Sequence, residues 1–287
     1  MRVTLRPLTA VEFCERVVPA LAEREAENGL VIGLAWRLAA QSDPAPDALL
    51  LAVEAAGDVV GAAVWTPPHD VVVTRLPPGA ADQLAEHLAG ARWTVGGASG
   101  PDSSGRELAD AVARRTRTAV RVRMQHRVYA LTSVEPVPRA AGAMRPAAAA
   151  DLELVASWYA RFVDEAHMAH PMPPFDWARA TIASGSAFLW EDDAPRSLAC
   201  VSRETPNGRA IGPVYTPHAA RRRGYATTLV ADLARQVLAG GKRFACLFTD
   251  EANPTSNRIY ESVGFRFVCR FDAYALVPIP ERTDARS

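Results

Sequence analysis

The sequence predicts an α/β chain (α+β layered, mixed sheets flanked by helices) built in two halves, and three observations carry that expectation. In the second half the segments run helix, helix, three strands, helix, strand, helix, two strands, an order that layers helices against a mixed sheet. A stretch rich in Pro, Ala and Gly, 134–142, has no periodicity and reads as a linker near the middle of the chain. On either side of it, Ala48 to Pro68 and Ser186 to Pro206 are both 21 residues long and both read as strand, turn, strand and terminal Pro, at a constant offset of 138. Equal hairpins at one offset suggest two copies of one plan.

The second half gives the clearer elements. Asp151 precedes a helix whose apolar positions Leu152, Val155, Tyr159, Phe162 and Val163 keep a 3–4 spacing. Asp176 is expected to cap a shorter helix ending near Gly185. Strands follow at 187–190, 198–203 and 210–216, turning first at Pro195-Arg196 and then at Pro206-Asn207-Gly208. A helix with Leu229, Leu233 and Val237 on one stripe stops at Gly240-Gly241. A strand at 244–249, a short helix around 256–263 and two closing strands over 265–277 complete the half.

The first half is fainter. It offers a helical pattern over 11–40, strands near 49–53 and 59–65, a helix over 105–114 and a strand over 121–131. Its glycine-rich stretch 95–107 stands where the arginine-rich turn described below falls in the second half. Asp102 and Glu107 would repel a phosphate there, so it reads as a plain loop.

Composition sets the outer limits. The 287 residues hold 49% hydrophobic and 22% charged side chains, those of a globular protein, with 32 basic residues against 32 acidic ones. A net charge of zero supplies no general field for nucleic acid or for an anionic membrane. No apolar run follows Met1 to Arg6, and none is long enough to span a bilayer, so a cytoplasmic protein is expected. Cys14, Cys200, Cys246 and Cys269 are scattered, which supports neither a zinc site nor a disulfide framework, and no metal is expected.

The chemistry concentrates between Val214 and Phe265. Gly212 and Pro213 interrupt a strand and Pro217 ends it, the mark of a bulge or splay that frees ladder groups. Arg221-Arg222-Arg223-Gly224-Tyr225-Ala226 then forms a basic turn opening into a helix at Thr227. Unpaired amides and the helix dipole favour an anion at such a place. Asn253-Pro254-Thr255-Ser256-Asn257 begins another helix, and Tyr260, three residues after Asn257, lies on the same side of it. Tyr260 reads either as a proton donor beside the bound anion's cargo or as a core tyrosine. Glu165, His167 and His170, and separately Glu204, are the carboxylates and imidazoles available as a general base. Trp158, Trp177 and Trp190 either wall a pocket or fill the core.

These segments resemble the acyl-CoA site of the GNAT superfamily of N-acetyltransferases. The resemblance is specific over about 142–277 and diffuse over 1–133. Arg221, Gly224 and Ala226 fit the superfamily's pattern of Gln/Arg, two residues, Gly, one residue, Gly/Ala. It implies that 143–287 is a catalytic domain, that 134–142 is a linker, and that 1–133 is a degenerate copy without a cofactor turn. By the resemblance, Arg221, Arg222, Arg223, Gly224, Tyr225, Ala226 and Thr227 meet the diphosphate of acetyl-CoA. Val214, Tyr215 and Thr216 pair with the pantetheine arm, and Asn253 and Asn257 contact it. Tyr260 protonates the departing thiolate, and Glu165 is the candidate base. The implied function is direct acetyl transfer to a primary amine of a small molecule, by a monomer or homodimer. Alternatives are a protein or peptide N-acetyltransferase and a non-catalytic CoA-binding sensor.

Overall fold

In the computed structural model, residues 3–41, 47–90 and 95–279 are described. They fall into two compact units: one takes the residues up to Glu23, Leu30–His126 and those from Arg270 on, the other Arg24–Gly29 and Arg127–Cys269. This differs from a single cut at 134–142, because two long strands and one helix run from one unit into the other.

The first unit contains β1 (Thr4–Pro7), α1 (Ala10–Arg16), α2 (Val18–Leu21), most of α3 (Glu25–Ala39), β2 (Leu49–Ala55), β3 (Asp58–Trp65), β4 (Val71–Val73), α4 (Ala80–Gly90), β5 (Gly97–Pro101), α5 (Ser104–Thr116) and the start of β6 (Thr118–Leu131). The helical pattern over 11–40 is thus three helices, α2 restarting with Pro in its first turn. The stretch 95–107, expected to be a loop, is a fully buried strand, a turn and the start of α5. Its small side chains hid the strand from a hydrophobicity pattern. The strand order is β1-β2-β3-β4-β5, with the last strand of the chain, β12 (Arg266–Pro278), beyond β5 through Phe271–Ala275. Neighbours are antiparallel except β4 and β5.

The second unit holds β7 (Ala143–Pro146), α6 (Leu152–Glu165), α7 (Pro174–Ala183), β8 (Ala187–Asp192), β9 (Ala194–Glu204), β10 (Gly208–Tyr215), α8 (Tyr225–Ala239), β11 (Phe244–Asp250) and α9 (Pro254–Val263), and takes the end of β6 as its edge. The order is β6-β11-β10-β9-β8-β7, with β10 and β11 parallel and the pairs from β10 to β7 antiparallel. One plan therefore occurs twice. Both 21-residue segments are hairpins, although the second turns at Asp193, in a left-handed conformation (φ 58°), not at Pro195-Arg196. Asp176 lies within the first turn of α7, behind the capping Pro173. The two expected closing strands are the single strand β12.

The second sheet is buried on both faces by alternation of side chains. Phe188, Trp190, Ala199 and Val201 pack with α8 and α9, while Leu189, Leu198, Cys200 and Tyr215 pack with α6 and α7. Trp190 and Trp158 are core residues, and Trp177, half-buried, stacks on Tyr159 with centroids 3.9 Å apart. The stretch 134–142 is strapped down. Val134, Val137 and Ala140 pack on the core, and Arg139 binds both carboxylate oxygens of Asp232 at 3.0 and 2.9 Å. Ala141 accepts from the Trp190 indole at 2.7 Å, and Ala140 N–H donates to Thr228 Oγ1 at 3.1 Å.

Candidate acyl-CoA site

The site grows out of a break in the second sheet. β10 and β11 are paired only from Gly208–Phe244 to Ala210–Cys246, although β10 continues to Tyr215 and β11 to Asp250. The register of β10 against β9 slips twice, around Ile211 and again before Val214, where Gly212 (φ 147°) and Pro213 interrupt it. Ser197 Oγ donates to the Tyr215 carbonyl at 3.1 Å and shares a hydrogen bond with Thr216 Oγ1 at 2.8 Å, tying the end of β10 to β9. The carbonyl of Tyr215 thus points to β9, and by strand alternation the backbone groups of Val214 and Thr216 point to the side that β11 has left. The Tyr215 side chain is buried against Trp158, with the Arg221 guanidinium 6.0 Å from its ring centre.

The basic turn follows. Gly224 caps α8 in a left-handed conformation (φ 80°), where a side chain would be strained, and offers no side-chain cap. The first helical bond of α8 is Thr228 N–H to the Gly224 carbonyl at 2.9 Å. The N–H groups of Tyr225, Ala226 and Thr227 therefore lack partners within the helix, and no acidic residue occupies the first turn. Arg222 and Arg223 are exposed. Tyr225 is buried and its phenol donates to Asp192 Oδ2 at 2.6 Å, which pins the first turn to the β8–β9 corner.

Arg221 is committed elsewhere. Its Nη2 binds both oxygens of Glu165 at 2.8 and 2.7 Å, and its Nε donates to the Thr216 carbonyl at 2.9 Å. Two predicted site residues are thus brought together in a staple that joins the end of α6, the end of β10 and the turn. With both oxygens engaged, Glu165 is not poised as a base. His167 and His170 lie in the exposed segment after α6. Glu204 is at the wrong end of the sheet: it faces Arg209 across the β9–β10 pair and holds Lys242 at 2.7 Å. At about 3.3 Å per residue, that is roughly 20 Å from the end of β10.

On the other flank stands α9. Asn253 caps it by accepting from Ser256 N–H at 3.1 Å. Asn257 is buried; its amide nitrogen donates to the carbonyls of Asp250 and Glu251 at 3.2 and 3.3 Å, while its Oδ1 has no partner among the described residues. A buried acceptor without a partner fits a ligand that brings an N–H. Tyr260 is buried, edge-on to Phe265 at 6.1 Å, and its hydroxyl has no hydrogen-bond partner among the described residues. Burial pushes its phenol up to about 12. Both readings of Tyr260 thus meet in one residue, a ring in the core and an uncommitted hydroxyl. Asp192 and Ser197 hold Tyr225 and the end of β10 in place without any sequence signal that marks them, since each acts through a contact distant in the chain.

The first unit contains the same sequence of parts, but not where the sequence suggested. The counterpart of the basic turn is 74–79, after β4, and Gly79 repeats the left-handed conformation of Gly224 (φ 83°) one residue before α4. Pro77 and Pro78 supply no N–H, and Asp82 is in the first turn. Arg75 pairs with Asp102, and Leu76 N–H donates to Ser104 Oγ at 3.0 Å. A Cβ on Gly105 would sit 2.6 Å from the Gly100 nitrogen, so β5 and α5 are in close backbone contact there.

Among the described residues no helix is long and apolar enough to cross a membrane, and no cluster of metal-ligating side chains occurs. Residues 195–273 match the sequence model of the FR47-like protein family. No curated protein matches the chain in sequence. Solved structures match it nearly end to end. A Drosophila protein from a structural-genomics programme is 15% identical, with 96% of this chain and 98% of that one covered at a TM-score of 0.68. A GCN5-related N-acetyltransferase from Sphaerobacter thermophilus is 16% identical, with 96% of each chain covered and a TM-score of 0.60. A tandem GNAT protein from the clavulanic acid biosynthesis pathway is 14% identical, covering 98% of this chain and 100% of that one at a TM-score of 0.55. With an FR47-like segment over β9 to β12 and these likenesses over its length, the chain has the fold of the GNAT superfamily of N-acetyltransferases in its tandem form.

Proposed function

We propose that this protein is an acetyl-CoA-dependent N-acetyltransferase that acts on a primary amine of a small molecule, with its one acetyl-CoA site in the second unit. The observation that carries the reading is the parting of β10 from β11 beside the uncapped, acid-free start of α8. Acetyl-CoA supplies the activated acetyl group. The amides of Tyr225, Ala226 and Thr227, with Arg222 and Arg223, hold the diphosphate, where dipole and charge act together. The free edge of β10 at Val214, with the N–H of Thr216, holds the arm as an added strand would, the Thr216 carbonyl being held by Arg221, and these amides stabilise charge on the reacting carbonyl oxygen. Asn257 Oδ1 accepts an amide N–H of the arm, and Asn253 shapes the start of α9. Tyr260 donates to the departing sulfur.

Glu165 serves this site by fixing Arg221, and hence the turn, so the acceptor ammonium loses its proton to water. The acceptor reading is supported by the fold shared with a tandem GNAT protein of a small-molecule biosynthetic pathway. The test is thiol release from acetyl-CoA in the presence of polyamines, aminoglycoside-like amines and lysine peptides, side by side. Turnover with small amines supports the proposal. Turnover with peptides alone replaces it with protein acetylation, and tight binding of acetyl-CoA without turnover indicates a sensor.

A further inference from the structure

The helix that carries Asn257 and Tyr260 is only 10 residues long, too short to hold its own shape or place by propensity. Two side chains of β6 hold it at both ends. Arg127 donates through Nη2 and Nε to Glu251 Oε1 at 3.2 and 3.4 Å, just before the helix. Tyr129, wholly buried, donates through its hydroxyl to Glu261 Oε1 at 2.7 Å, near the helix end. Arg127 Nη1 also donates to the Tyr129 hydroxyl at 3.4 Å, which joins the two anchors. Residues two apart in a strand share one face, so β6 presents both to α9 at once. The link reaches the site through the backbone. Glu251, whose carboxylate Arg127 holds, accepts the amide of Asn257 on its carbonyl at 3.3 Å, and that bond, with the one to the Asp250 carbonyl, takes up the amide nitrogen while Asn257 Oδ1 is left without a partner among the described residues.

We infer that Arg127 and Tyr129 are positioning residues for acetyl-CoA binding: through Glu251 and Glu261 they set α9 so that Asn257 meets the pantetheine arm. The inference rests on the proposed reading of α9 as the flank of the acetyl-CoA arm. It gives β6, which begins in the first unit, a part in the chemistry of the second. Neither residue touches the reacting atoms, and neither lies in the segments that resemble a cofactor motif.

The test compares two ligands on the full chain. Acetyl-CoA carries the arm; adenosine 3′,5′-bisphosphate carries phosphates and adenine without it. In Arg127→Gln and in Arg127→Gln/Tyr129→Phe, calorimetry should show the Kd for acetyl-CoA raised about 5- to 20-fold and that for the bisphosphate changed less than twofold. KM for acetyl-CoA should rise in step, kcat at saturation should fall, because Tyr260 rides on the same helix, but less than in Tyr260→Phe, and Arg127→Lys should recover part of the loss. If the wild type does not bind acetyl-CoA, the proposed function itself fails. If the wild type binds and the variants bind acetyl-CoA equally well, or lose both ligands in equal measure, the positioning role is wrong. Circular dichroism and Tm of each variant accompany the titrations; because the bisphosphate still reports an intact turn, a variant that retains it is folded where it matters.

Discussion

Removing one oxygen atom from Tyr260 separates a proton donor from a core ring. Tyr260→Phe keeps the packing against Phe265 and breaks no hydrogen bond with another side chain, so stability should be unchanged or slightly higher. Its effect on rate follows from the raised phenol. A thiol titrates near ~8.5 in water, and a phenol pushed to about 12 lies roughly 3.5 units above it. Full transfer of the phenolic proton to a thiolate would therefore be uphill by about 5 kcal/mol. What Tyr260 supplies is a strong hydrogen bond to charge growing on sulfur, a contribution of about 1.5–3 kcal/mol. At about 1.4 kcal/mol per tenfold, Tyr260→Phe should slow the acetyl step by about 10- to 150-fold. The assay is single-turnover thiol release at saturating acetyl-CoA, with its Kd measured separately and expected to stay within about twofold. A rate within threefold of the wild type would assign Tyr260 to the core alone, and a loss beyond about a thousandfold would refute the hydrogen-bond limit and require full proton transfer.

The same residue gives a stability prediction. Its folded-state pKa lies above the unfolded one near ~10, so the proton is held more tightly when folded; the stabilisation is complete below pH ~10 and is lost between pH ~10 and 12, by about 3 kcal/mol. Urea midpoints measured across that range should fall for the wild type and stay flatter for Tyr260→Phe. Gly224→Asp places a carboxylate and a strained backbone at the start of α8 and should weaken acetyl-CoA binding at least about a hundredfold by calorimetry, where the wild type shows one site per chain. Asn257→Ala should raise KM for acetyl-CoA with little change in kcat, since the lost contact is made equally before and during reaction. With water as proton acceptor, log kcat/KM should climb with unit slope toward the acceptor's own pKa, ~10.4 for an alkylamine; a plateau near pH 6.5–7 would reveal a histidine base.

Much of the second unit was legible because its signals are local. Apolar spacing marks α6 and α8, Gly224 and Gly264 mark helix ends, and Pro206-Asn207-Gly208 marks a hairpin. The misreadings share a different cause: each was decided by a contact distant in sequence. The composition of 134–142 is that of a linker, but Arg139, Ala140 and Ala141 find partners on α8 and β8 more than 45 residues away. Arg221 fits the phosphate pattern, yet Glu165 and Thr216 take its guanidinium. In β5 the small residues Gly97, Ala98, Ser99 and Gly100 carry no hydrophobic pattern, because they permit a close approach of the backbone in a strand that is buried throughout. Nor can a sequence reveal that β12 ends in the first unit and β6 in the second, since strand partners are chosen after folding.

Seen as two copies of one plan, the units show how little distinguishes a ligand site from a closed corner. Both have a strand, a loop, a left-handed glycine and a helix, with φ of 83° at Gly79 and 80° at Gly224. In the second, the loop is basic, the strand beyond it leaves its parallel neighbour, and the first turn of the helix carries free amides and no acid. In the first, two prolines remove donors, Asp82 opposes an anion, and Arg75 with Asp102 and Leu76 with Ser104 lace the loop to the start of α5. Gly105 and Gly100 are in close backbone contact there. Backbone geometry alone therefore does not make the site. On the proposed reading, the anion preference comes from which residues flank the glycine, and the room for the arm from Gly212 and Pro213 interrupting one strand of the pair.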